Sequence, residues 1–572
     1  MRRPLRTALA GVVATLVLFG AAELIARAFG PPAAPLLAVG QTIIPLAPAG
    51  LIKPVIDLLG HNDKLVLVLT TGLGALVLGG LIGWLASRRL RLATALLLLA
   101  GIVPVIVIPL RPESEVLDVL PTLIGLALGM ATFRVLISLD SSTSTSAPGT
   151  DTGGTDTAAA STFPAVARPG ASATADSPAT TDSPSTIDSP SLPDSSSPPD
   201  SPSPVGASSS AKPAADPSRR RFFAITGIIG AAGAAAVAAG QTVASLTLDA
   251  GAAVAKLVLP KPAKTAPPIP ASAHPQVKGL APFVTDRKDF YRIDTVLAPP
   301  VIDAQQWSLR IHGMVDSEVT LSMDDLLDLP LEEHHITLTC VSNPVGGDLV
   351  GNATWLGFPV SELLQRAKPH RDADMVLSHS FDGFTASTPI EALSDDRNAL
   401  LAVGMNGSPL PPEHGYPARL VVPGLYGFVS ATKWVTELEV TRFDEKTAYW
   451  TDRGWDAKAP ILVASRIEVP KPLGKVPAGD LVVAGTAWAQ RSGIERVDVK
   501  LDDGQWTEAE LADEVNIDTW RQWRADFSTV DAGSHTLTVR AIDRDGNVQT
   551  PERREAIPNS ATGHHHIQFR VE

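Results

Sequence analysis

Cys340 is the only cysteine among the 572 residues of the chain. A protein with one thiol has no intrachain disulfide and no zinc or iron–sulfur site held by paired cysteines. Residues 333–340 alternate apolar and polar side chains and predict a strand, and the turn-rich segment 341–347 follows it. A lone cysteine is commonly a buried structural residue. Because functional side chains often lie on loops beside strand ends, we expect Cys340 to be exposed in a cleft instead.

The composition separates two kinds of sequence along the chain. Hydrophobic residues make up 45% of the total, yet nine of the ten tryptophans and all four tyrosines lie beyond residue 290. Since aromatic side chains contribute heavily to folded cores, we expect the catalytic or binding domain there. The net charge of -13 argues against a nucleic-acid-binding protein, because affinity for nucleic acid comes from clustered Lys and Arg.

Four apolar segments before residue 140 are long enough to cross a bilayer as helices. They cover residues 9–26, 65–86, 92–110 and 116–139, and a fifth, less hydrophobic segment covers 222–248. Arginines cluster at residues 2–6, 88–91 and 219–221. Five crossings place all three clusters on the cytoplasmic side and the chain after residue 250 outside. The sequence therefore predicts a multi-pass protein of the cell membrane with an extracytoplasmic catalytic domain.

The residues just before the fifth segment resemble an export signal. Residues 218–223 read Ser-Arg-Arg-Arg-Phe-Phe, which resembles the twin-arginine signal. Such signals direct proteins that fold before export, which implies that the downstream domain binds its cofactor in the cytoplasm. An ordinary cytoplasmic arginine flank is the alternative interpretation.

Two segments of biased composition separate these parts. Residues 140–217 consist almost wholly of Ser, Thr, Pro, Asp, Ala and Gly, and they cannot bury enough apolar surface to offset the entropy of ordering. We interpret them as a disordered cytoplasmic linker. Residues 249–282 contain repeated prolines and are predicted to be a stiff spacer that separates the outer domain from the membrane.

Beyond residue 283, short predicted strands and turns accompany a short helix predicted at 321–329 and capped by Ser322. This region carries four motifs in a fixed order. These motifs are Thr-Cys-Val-Ser-Asn at 339–343, Gly-Asn-Ala-Thr-Trp-Leu-Gly at 351–357, Met-Asn-Gly-Ser-Pro-Leu-Pro at 405–411 with His-Gly-Tyr-Pro-Ala-Arg at 414–419, and Tyr-Gly-Phe at 426–428 before Lys433 and Trp434. Their order and spacing resemble the molybdopterin-binding domain of the sulfite oxidase superfamily. The resemblance extends from residue 283 to the end of the chain and implies an α+β molybdopterin-binding domain at 283–448. Within it, the second motif is expected to lead into a helix near residues 360–367.

This resemblance implies a molybdenum–molybdopterin cofactor and roles for the polar residues of the motifs. Cys340 would supply the protein thiolate to molybdenum, a metal centre that prefers soft sulfur ligands. Cationic and amide side chains would hold the pterin and its anionic tail. The early pterin-contacting segment of the family corresponds to residues 290–295, where the usual Arg-Asn-His is absent. The candidate cofactor-binding residues are Arg292, Asp294, Asn343, Asn406, His414, Arg419 and Lys433, with Thr295 a weaker candidate.

The departures from the family pattern concern the substrate. Sulfite oxidases carry an arginine between the glycine-rich turn and the Lys-Trp pair, whereas residues 428–432 here are Phe-Val-Ser-Ala-Thr. The Tyr-Gly-Phe triplet resembles the bacterial periplasmic branch that reduces methionine sulfoxide in proteins. A small oxo acid and a sulfoxide therefore both remain open as the substrate. Residues 379–384 predict a hairpin with an Asp-Gly turn, and residues 449–455 predict an aromatic wall at the site entrance.

Residues 449–572 contain short strands at close intervals, with Asp-Gly turns at 503–504 and 545–546. This pattern is typical of an immunoglobulin-like β-sandwich. Residues 485–488 and 495–499 resemble the dimerisation domain that follows the molybdenum domain in the superfamily. The resemblance implies either a homodimer or a sandwich that only covers the cofactor domain. The three histidines at 564–566 are interpreted as a natural loop near a binding surface rather than as a metal site or a tag.

The sequence as a whole predicts a multi-domain protein with N-terminal all-α transmembrane helices, an α+β molybdopterin domain and a β-sandwich. The predicted function is a membrane-anchored molybdenum-dependent oxidoreductase that transfers an oxygen atom to or from a small-molecule oxo substrate. His61 is the only histidine before residue 270, so a bis-histidine haem is excluded there and the electrons are expected to pass through an external partner. The alternative is a non-catalytic extracellular binding protein with an immunoglobulin-like domain.

Overall fold

The computed structural model describes residues 3–46, 63–111, 114–142, 217–244, 254 and 256–572. Within these ranges the chain forms a bundle of apolar helices, a mixed domain with two five-stranded sheets, and a two-sheet β-rich C-terminal part. His61 and nearly all of the predicted linker at 140–217 lie outside the described residues.

The apolar segments predicted from the sequence are helices. Four spans, Arg3–Ala26, Val66–Ala86, Leu90–Leu110 and Val116–Asp140, are long and apolar enough to cross a membrane, and the fifth segment contains a shorter apolar stretch, Phe223–Val237. The helices are α1 (Arg3–Ala26), α2 (Pro35–Leu46), α3 (Asp63–Ala86), α4 (Leu90–Val107), α5 (Leu120–Ser142) and α6 (Pro217–Ala244).

The short helix α2 is not predicted by the sequence pattern, and a buried carboxyl group fixes its start. Glu23 of α1 is 4% exposed, and its Oε1 accepts a hydrogen bond of 2.9 Å from the backbone N–H of Leu36. The first N–H groups of a helix have no partner within the helix and favour an oxygen acceptor. Glu23 therefore joins α1 to the first turn of α2.

Helix α1 is the centre of the bundle, because α3, α5 and α6 all pack against it. At each contact a glycine lets the two backbones approach closely, as is common between membrane helices. A Cβ atom at Gly83 of α3 would overlap the Thr7 carbonyl oxygen, and one at Gly125 of α5 would overlap the Leu18 carbonyl oxygen. Between α1 and α6, a Cβ atom at Gly20 of α1 would overlap the Gly233 carbonyl oxygen.

Helices α3 and α5 are antiparallel to α1. Gly83 of α3 faces Thr7 of α1, and Gly79 faces Thr15, so the residue numbers of α3 decrease as those of α1 increase. The contacts between α1 and α5 reverse in the same way. The turn between α3 and α4 therefore lies at the end of the bundle where α1 begins.

Helix α6 runs parallel to α1. Val13 of α1 faces Gly230, and Gly20 of α1 faces both Gly233 and Ala236, so the two helices advance in the same direction. The first turn of α6 consequently lies at the same end as the first turn of α1. The described parts of the arginine-rich segments, residues 3–6, 88–91 and 219–221, thus lie at one end of the bundle.

The opposite end of the bundle contacts the rest of the protein. Leu297 packs on a small apolar cluster that includes Ala34 and, in α2, Leu37, and its side chain lies against Gly40 of α2. Leu297 closely follows the segment that lines the site described below. The arginine-rich end and the mixed domain therefore lie at opposite ends of the helices.

The mixed domain contains ten strands in two sheets around one continuous hydrophobic core. The first sheet has the order β2-β1-β10-β5-β6, and the second has the order β3-β4-β7-β8 with β9 paired to β7. The strands are β1 (Ser308–Gly313), β2 (Val319–Ser322), β3 (Glu332–Thr339), β4 (Val350–Pro359), β5 (Met375–Ser380), β6 (Thr385–Pro389), β7 (Leu400–Met405), β8 (Ser408–Pro409), β9 (Arg419–Val421) and β10 (Val435–Thr441).

Three short helices connect these strands, namely α7 (Met323–Leu327), α8 (Val360–Ala367) and α9 (Ile390–Ser394). The helix predicted at 321–329 begins at Met323, because Val319–Ser322 pairs with β1. Ser322 caps it as expected, since its Oγ accepts a hydrogen bond of 3.1 Å from the Asp325 N–H. The Asp-Gly hairpin predicted at 379–384 is also confirmed, as the antiparallel pair β5 and β6.

The C-terminal part is β-rich, as the spacing of short strands predicts, with its own core between two sheets. One sheet has the order β11-β13-β17-β16 and the other β12-β19-β18-β14-β15. The strands are β11 (Ala464–Val469), β12 (Lys475–Val476), β13 (Gly479–Trp488), β14 (Ile494–Leu501), β15 (Thr507–Glu508), β16 (Glu510–Leu511), β17 (Arg521–Val530), β18 (Gly533–Asp543) and β19 (His565–Val571).

We predict that Gly83→Ala destabilises the helical bundle by about 1–3 kcal/mol, because the added methyl group forces α3 away from α1. The measurement is the unfolding temperature of the detergent-solubilised protein. Gly74→Ala in the same helix is the matched control, since a Cβ there meets no atom within 4 Å. Equal unfolding temperatures for the two variants would contradict the close packing of α1 and α3.

Candidate functional site

The Cys340 thiol lies directly after β3 at the head of a tightly bonded loop. Its backbone N–H donates to the Leu349 carbonyl oxygen at 2.9 Å, and its carbonyl oxygen accepts from the Asn343 N–H at 3.1 Å. The side-chain oxygen of Asn343 accepts from the Leu349 N–H at 3.0 Å. These bonds fix the loop and hold the thiol at one position.

The prediction that Cys340 is exposed is wrong, because only 7% of the residue is accessible. The thiol nevertheless lines a pocket, so it is recessed and not part of a closed core. Burial raises the pKa of the thiol, and hydrogen bonds from Ser342 partly oppose this effect. A positively charged ligand in the pocket would favour the thiolate.

The pocket draws its walls from distant parts of the chain. It lies between the segment before β1, the ends of β3 and β5, and the loops before and after β9. The lining residues are Phe290, Tyr291, Ile293, Asp294, Thr295, Cys340, Ser380, Asp382, Phe384, His414, Arg419, Gly427, Phe428, Ala431, Lys433, Trp434 and Trp450.

One buried carboxylate joins two cations at this site. Asp294 Oδ2 accepts a hydrogen bond of 2.8 Å from Lys433 Nζ and one of 2.7 Å from Arg292 Nε. The Asp294 side chain is 2% exposed and that of Lys433 is 10% exposed. Burial lowers the pKa of Lys433 to about 8, although Asp294 opposes this shift.

Arg419 adds a further buried positive charge beside this pair. The residue is 6% exposed, and its guanidinium donates to the carbonyl oxygens of Leu420, His414 and Ala431. Within the described ranges no carboxylate forms an ion pair with it, and burial lowers its pKa to about 10. Asp294 therefore pairs with Arg292 and Lys433, whereas Arg419 is held by backbone carbonyl groups, and Asp382 is the second carboxylate that lines the pocket.

His414 is buried and uncharged at neutral pH. Its Nε2 lies 2.9 Å from the Arg287 carbonyl oxygen, which assigns the proton to that nitrogen. Burial lowers the pKa of His414 to about 4, and the nearby cations Arg419 and Lys433 lower it further. The histidine therefore acts here as a neutral group.

Three of the residues predicted to bind the cofactor do not line the pocket. Arg292 reaches it only through its bond to Asp294. Asn343 holds the cysteine loop, as described above. Asn406 uses its side chain to bond the backbone of Thr354 and Thr285, each at 2.9 Å. The structure brings the other predicted residues, together with Thr295, into one pocket.

Tyr291 lines the pocket but is not singled out by the sequence pattern. Burial raises the pKa of its hydroxyl group, the nearby Cys340 raises it further, and Arg419 partly opposes the shift. The side chain therefore stays a neutral phenol at any physiological pH. Its position next to Arg292 in the segment 290–295 is the one signal that could have identified it.

Aromatic rings form one side of the pocket, which agrees with the aromatic wall predicted from residues 449–455. Trp450 lines the pocket, and its ring centre lies 5.1 Å from that of Tyr449 and 6.2 Å from that of Trp455. The ring centre of Tyr449 lies 5.7 Å from that of Phe384, and the ring centre of Trp455 lies 5.6 Å from that of Phe428. Phe384 and Phe428 also line the pocket. The predicted hairpin thus contributes to the pocket through Phe384.

The β-rich C-terminal part supports the cysteine loop from behind. Arg466 Nη1 donates to the Gly347 carbonyl oxygen at 2.9 Å. The ring of His565 lies so close to Gly346 that a Cβ atom there would overlap it, and Gly346 has a φ of 78°. His565 Nδ1 in turn accepts from the Ile467 N–H at 2.9 Å. These contacts give His565 a packing role. Among the described residues, no group of three or more His, Cys, Asp and Glu side chains is able to hold a metal.

Comparison with protein families assigns both C-terminal regions. The profile of the oxidoreductase molybdopterin binding domain matches residues 296–450, and that of the Mo-co oxidoreductase dimerisation domain matches residues 457–572. An uncharacterised oxidoreductase of Bacillus subtilis, YuiH, is 31% identical over 153 residues, which are 27% of this chain and 74% of that protein. The chain belongs to the sulfite oxidase superfamily. The prediction of a molybdenum-cofactor-dependent oxidoreductase is thereby confirmed.

Other members of the sulfite oxidase superfamily are similar over a smaller share of their length. Mitochondrial sulfite oxidase of Mus musculus is 29% identical over 303 residues, which are 44% of this chain and 55% of that protein. The chain thus spans about half the length of the sulfite oxidase it matches. The crystal structure of the sulfane dehydrogenase SoxCD from Paracoccus pantotrophus has a TM-score of 0.45 at 25% identity and covers 51% of this chain and 84% of that chain.

The pocket fits the molybdenum–molybdopterin cofactor of this superfamily. The cofactor offers a metal that accepts a soft thiolate ligand, and Cys340 provides the one thiol. It also carries an anionic phosphate, which suits a pocket where buried cations outnumber the carboxylates that pair with them. Arg419 in particular is a buried charge without an ion-pair partner in the described chain, a state that an anionic ligand would stabilise.

We predict that the stability of the cofactor-free protein falls as pH decreases from about 6.5 to about 4. Burial lowers the pKa of both His414 and His565 to about 4, whereas an unfolded histidine titrates near 6.5. The unfolded state therefore binds more protons in this window, so acid favours unfolding. His414→Gln should reduce the number of protons taken up on unfolding by about one.

The measurement is the pH dependence of the free energy of unfolding from denaturant titrations. His370→Gln is the control, because that side chain is 47% exposed. A pH dependence that is the same in the wild type and in His414→Gln would refute the assignment of His414 as a buried neutral group.

Proposed function

We propose that the chain is a membrane-anchored enzyme on the outer face of the cell membrane that transfers an oxygen atom to or from a small oxo acid or sulfoxide. The observation that carries the proposal is the Cys340 thiol at the wall of a recessed pocket that also contains the buried cations Lys433 and Arg419. Cys340 would be the protein ligand of molybdenum. Lys433, Arg419, His414 and Asp294 would hold the pterin and its phosphate.

The bound cofactor supplies a metal that exchanges an oxygen atom and two electrons with the substrate. Oxidation of the substrate takes the oxygen atom from water and releases two protons, and reduction reverses this balance. Tyr291 stays protonated, so it can donate a hydrogen bond to an oxygen atom in the pocket. Lys433, with a pKa of about 8, can hold a proton near neutral pH while its bond to Asp294 fixes its position.

The lining of the pocket favours an uncharged sulfoxide over the sulfite anion. Phe428 and Ala431 line it on the side where sulfite oxidases are expected to carry an arginine. The neighbouring rings of Trp450 and Phe384 extend this apolar surface, and thioethers contact aromatic rings favourably. An anion on this side would lose its hydration without gaining a cationic partner.

The direction of the helices supports the proposed membrane topology. The arginine-rich segments lie at one end of the bundle, as they do in proteins that retain such segments in the cytoplasm. The mixed domain contacts the other end through Leu297. Parallel α1 and α6 agree with five crossings, since both would run outwards. The proposal includes the domain boundaries predicted from the sequence and the twin-arginine signal before α6.

The C-terminal part is proposed to be an immunoglobulin-like sandwich that forms a homodimer, which its match to the dimerisation profile supports. Electrons are proposed to pass to or from an external partner. The aromatic rings from Phe428 to Tyr449 are an apolar surface at the pocket where such a partner or the substrate can approach.

Replacement of the thiol tests the central claim. We predict that Cys340→Ser abolishes turnover, because serine offers molybdenum a harder oxygen ligand in place of the thiolate. The fold should be unchanged by circular dichroism and unfolding temperature. Ser394→Ala is the control, because that serine is exposed on α9 and bonds only the Ile390 carbonyl oxygen of its own helix, so turnover should be retained. Full activity of Cys340→Ser would remove the proposed role of Cys340.

The substrate preference is tested by adding the cation that the chain lacks. We predict that the wild type reduces a sulfoxide and turns over sulfite poorly, and that Phe428→Arg raises kcat/KM for sulfite by about tenfold through one charge-assisted hydrogen bond. Phe428→Gln removes the ring without adding charge and serves as the control. Vigorous oxidation of sulfite by the wild type would contradict this preference.

A further inference from the structure

A groove between α4 and α5 opens near the arginine-rich end of the bundle. Its volume is about 470 Å³, which is within the size range of ligand sites in proteins. The lining combines two guanidinium groups and two hydroxyl groups with an apolar surface. The lining residues are Leu90, Arg91 and Thr94 of α4, and Phe133, Arg134, Ile137 and Ser138 of α5.

The two arginines of the groove have no carboxylate partner in the part of the chain that the structure describes. Asp140 is the acidic residue nearest to them along α5, and it forms ion pairs with Arg6 at 2.9 Å and Arg3 at 3.5 Å. Arg91 and Arg134 are both exposed at the surface of the bundle. The groove therefore carries two positive charges that no described acid neutralises.

The position of Arg134 makes this charge costly in a bilayer. It lies six residues before the end of the apolar span Val116–Asp140, which places its Cα about 9 Å inside that end along the helix. An arginine costs about 2.5–3.5 kcal/mol at the centre of a membrane helix and less towards its end, where its head group can reach water or an anion. A phosphate group at this depth would provide such an anion.

We infer that this groove binds the phosphate of an acidic phospholipid in the cytoplasmic leaflet, an inference that rests on the proposed membrane topology. Basic pockets between membrane helices bind acidic lipid head groups. Arg91 and Arg134 would contact the phosphate. The acyl chains would run towards the bilayer centre along exposed apolar side chains such as Leu98, which lies one turn beyond Thr94 on the same face of α4. Free phosphate would leave these apolar side chains without a partner.

The test measures lipid affinity by native mass spectrometry of the purified full-length protein. Phosphatidylglycerol is titrated against phosphatidylcholine for the wild type and for Arg91→Gln, Arg134→Gln and the double variant. One arginine near the surface of an acidic membrane contributes a factor of about five in affinity, so each single variant should bind phosphatidylglycerol about fivefold more weakly. The double variant should bind the two lipids equally.

Arg89→Gln is the matched control, because it removes one positive charge next to Arg91 from a side chain that does not line the groove. An Arg134→Gln variant that binds phosphatidylglycerol as tightly as Arg89→Gln does would overturn the inference. Displacement of the lipid by inorganic phosphate would also overturn it, since the site would then bind free phosphate. If the protein binds phosphatidylglycerol only after residues 143–216 are deleted, the aspartate-containing linker is the ligand of the groove and the inference fails.

Extraction with alkaline carbonate separates this inference from the proposed topology. If the protein leaves the membrane fraction under these conditions, the membrane placement and the lipid site both fail. If it stays in the membrane fraction but binds both lipids equally, only the lipid site fails.

Discussion

Burial of positive charge around one thiol is the constraint on which the catalytic domain depends. Desolvation lowers the pKa of both Lys433 and Arg419, so the folded chain holds these charges at a cost in free energy. Asp294 and three backbone carbonyl groups offset part of the cost. The remaining excess of charge is stabilised when an anion occupies the pocket, which links binding of the cofactor to the stability of the domain.

This arrangement also explains why the cysteine loop is held from two sides. A metal ligand on a loose loop would lose affinity through the entropy of ordering it. Hydrogen bonds within the loop fix Cys340 from the front, and Arg466 and His565 of the C-terminal part fix it from behind. Gly346 allows the imidazole to approach because it has no side chain and adopts a positive φ. The C-terminal part therefore stabilises the cysteine loop through contacts within the same chain.

The sequence predicts local structure well where one short-range signal is sufficient. Helix α8 has the predicted bounds, Ser322 caps α7 as expected, and the Asp-Gly turn joins β5 and β6. The composition of the pocket is less predictable, because it depends on which side chains meet after folding. Asn406 carries the same amide whether it binds a pterin or the backbone of its neighbours, and only the tertiary fold decides between them. The sequence pattern does not identify Tyr291 for the same reason. It does not predict α2 either, because the start of that helix depends on Glu23 of another helix.

The packing of α6 gives a physical reason for the helices that precede it. A single apolar helix of moderate hydropathy can anchor a domain, but it leaves the orientation of that domain unrestrained. Here α6 packs along α1 at glycine contacts, and α2, whose first turn is bonded to Glu23 of α1, meets the mixed domain at Leu297. The contact of α2 with Leu297 therefore adds a second point of attachment to the covalent connection that follows α6 in the sequence. Two points of attachment restrain the orientation of the pocket relative to the bundle.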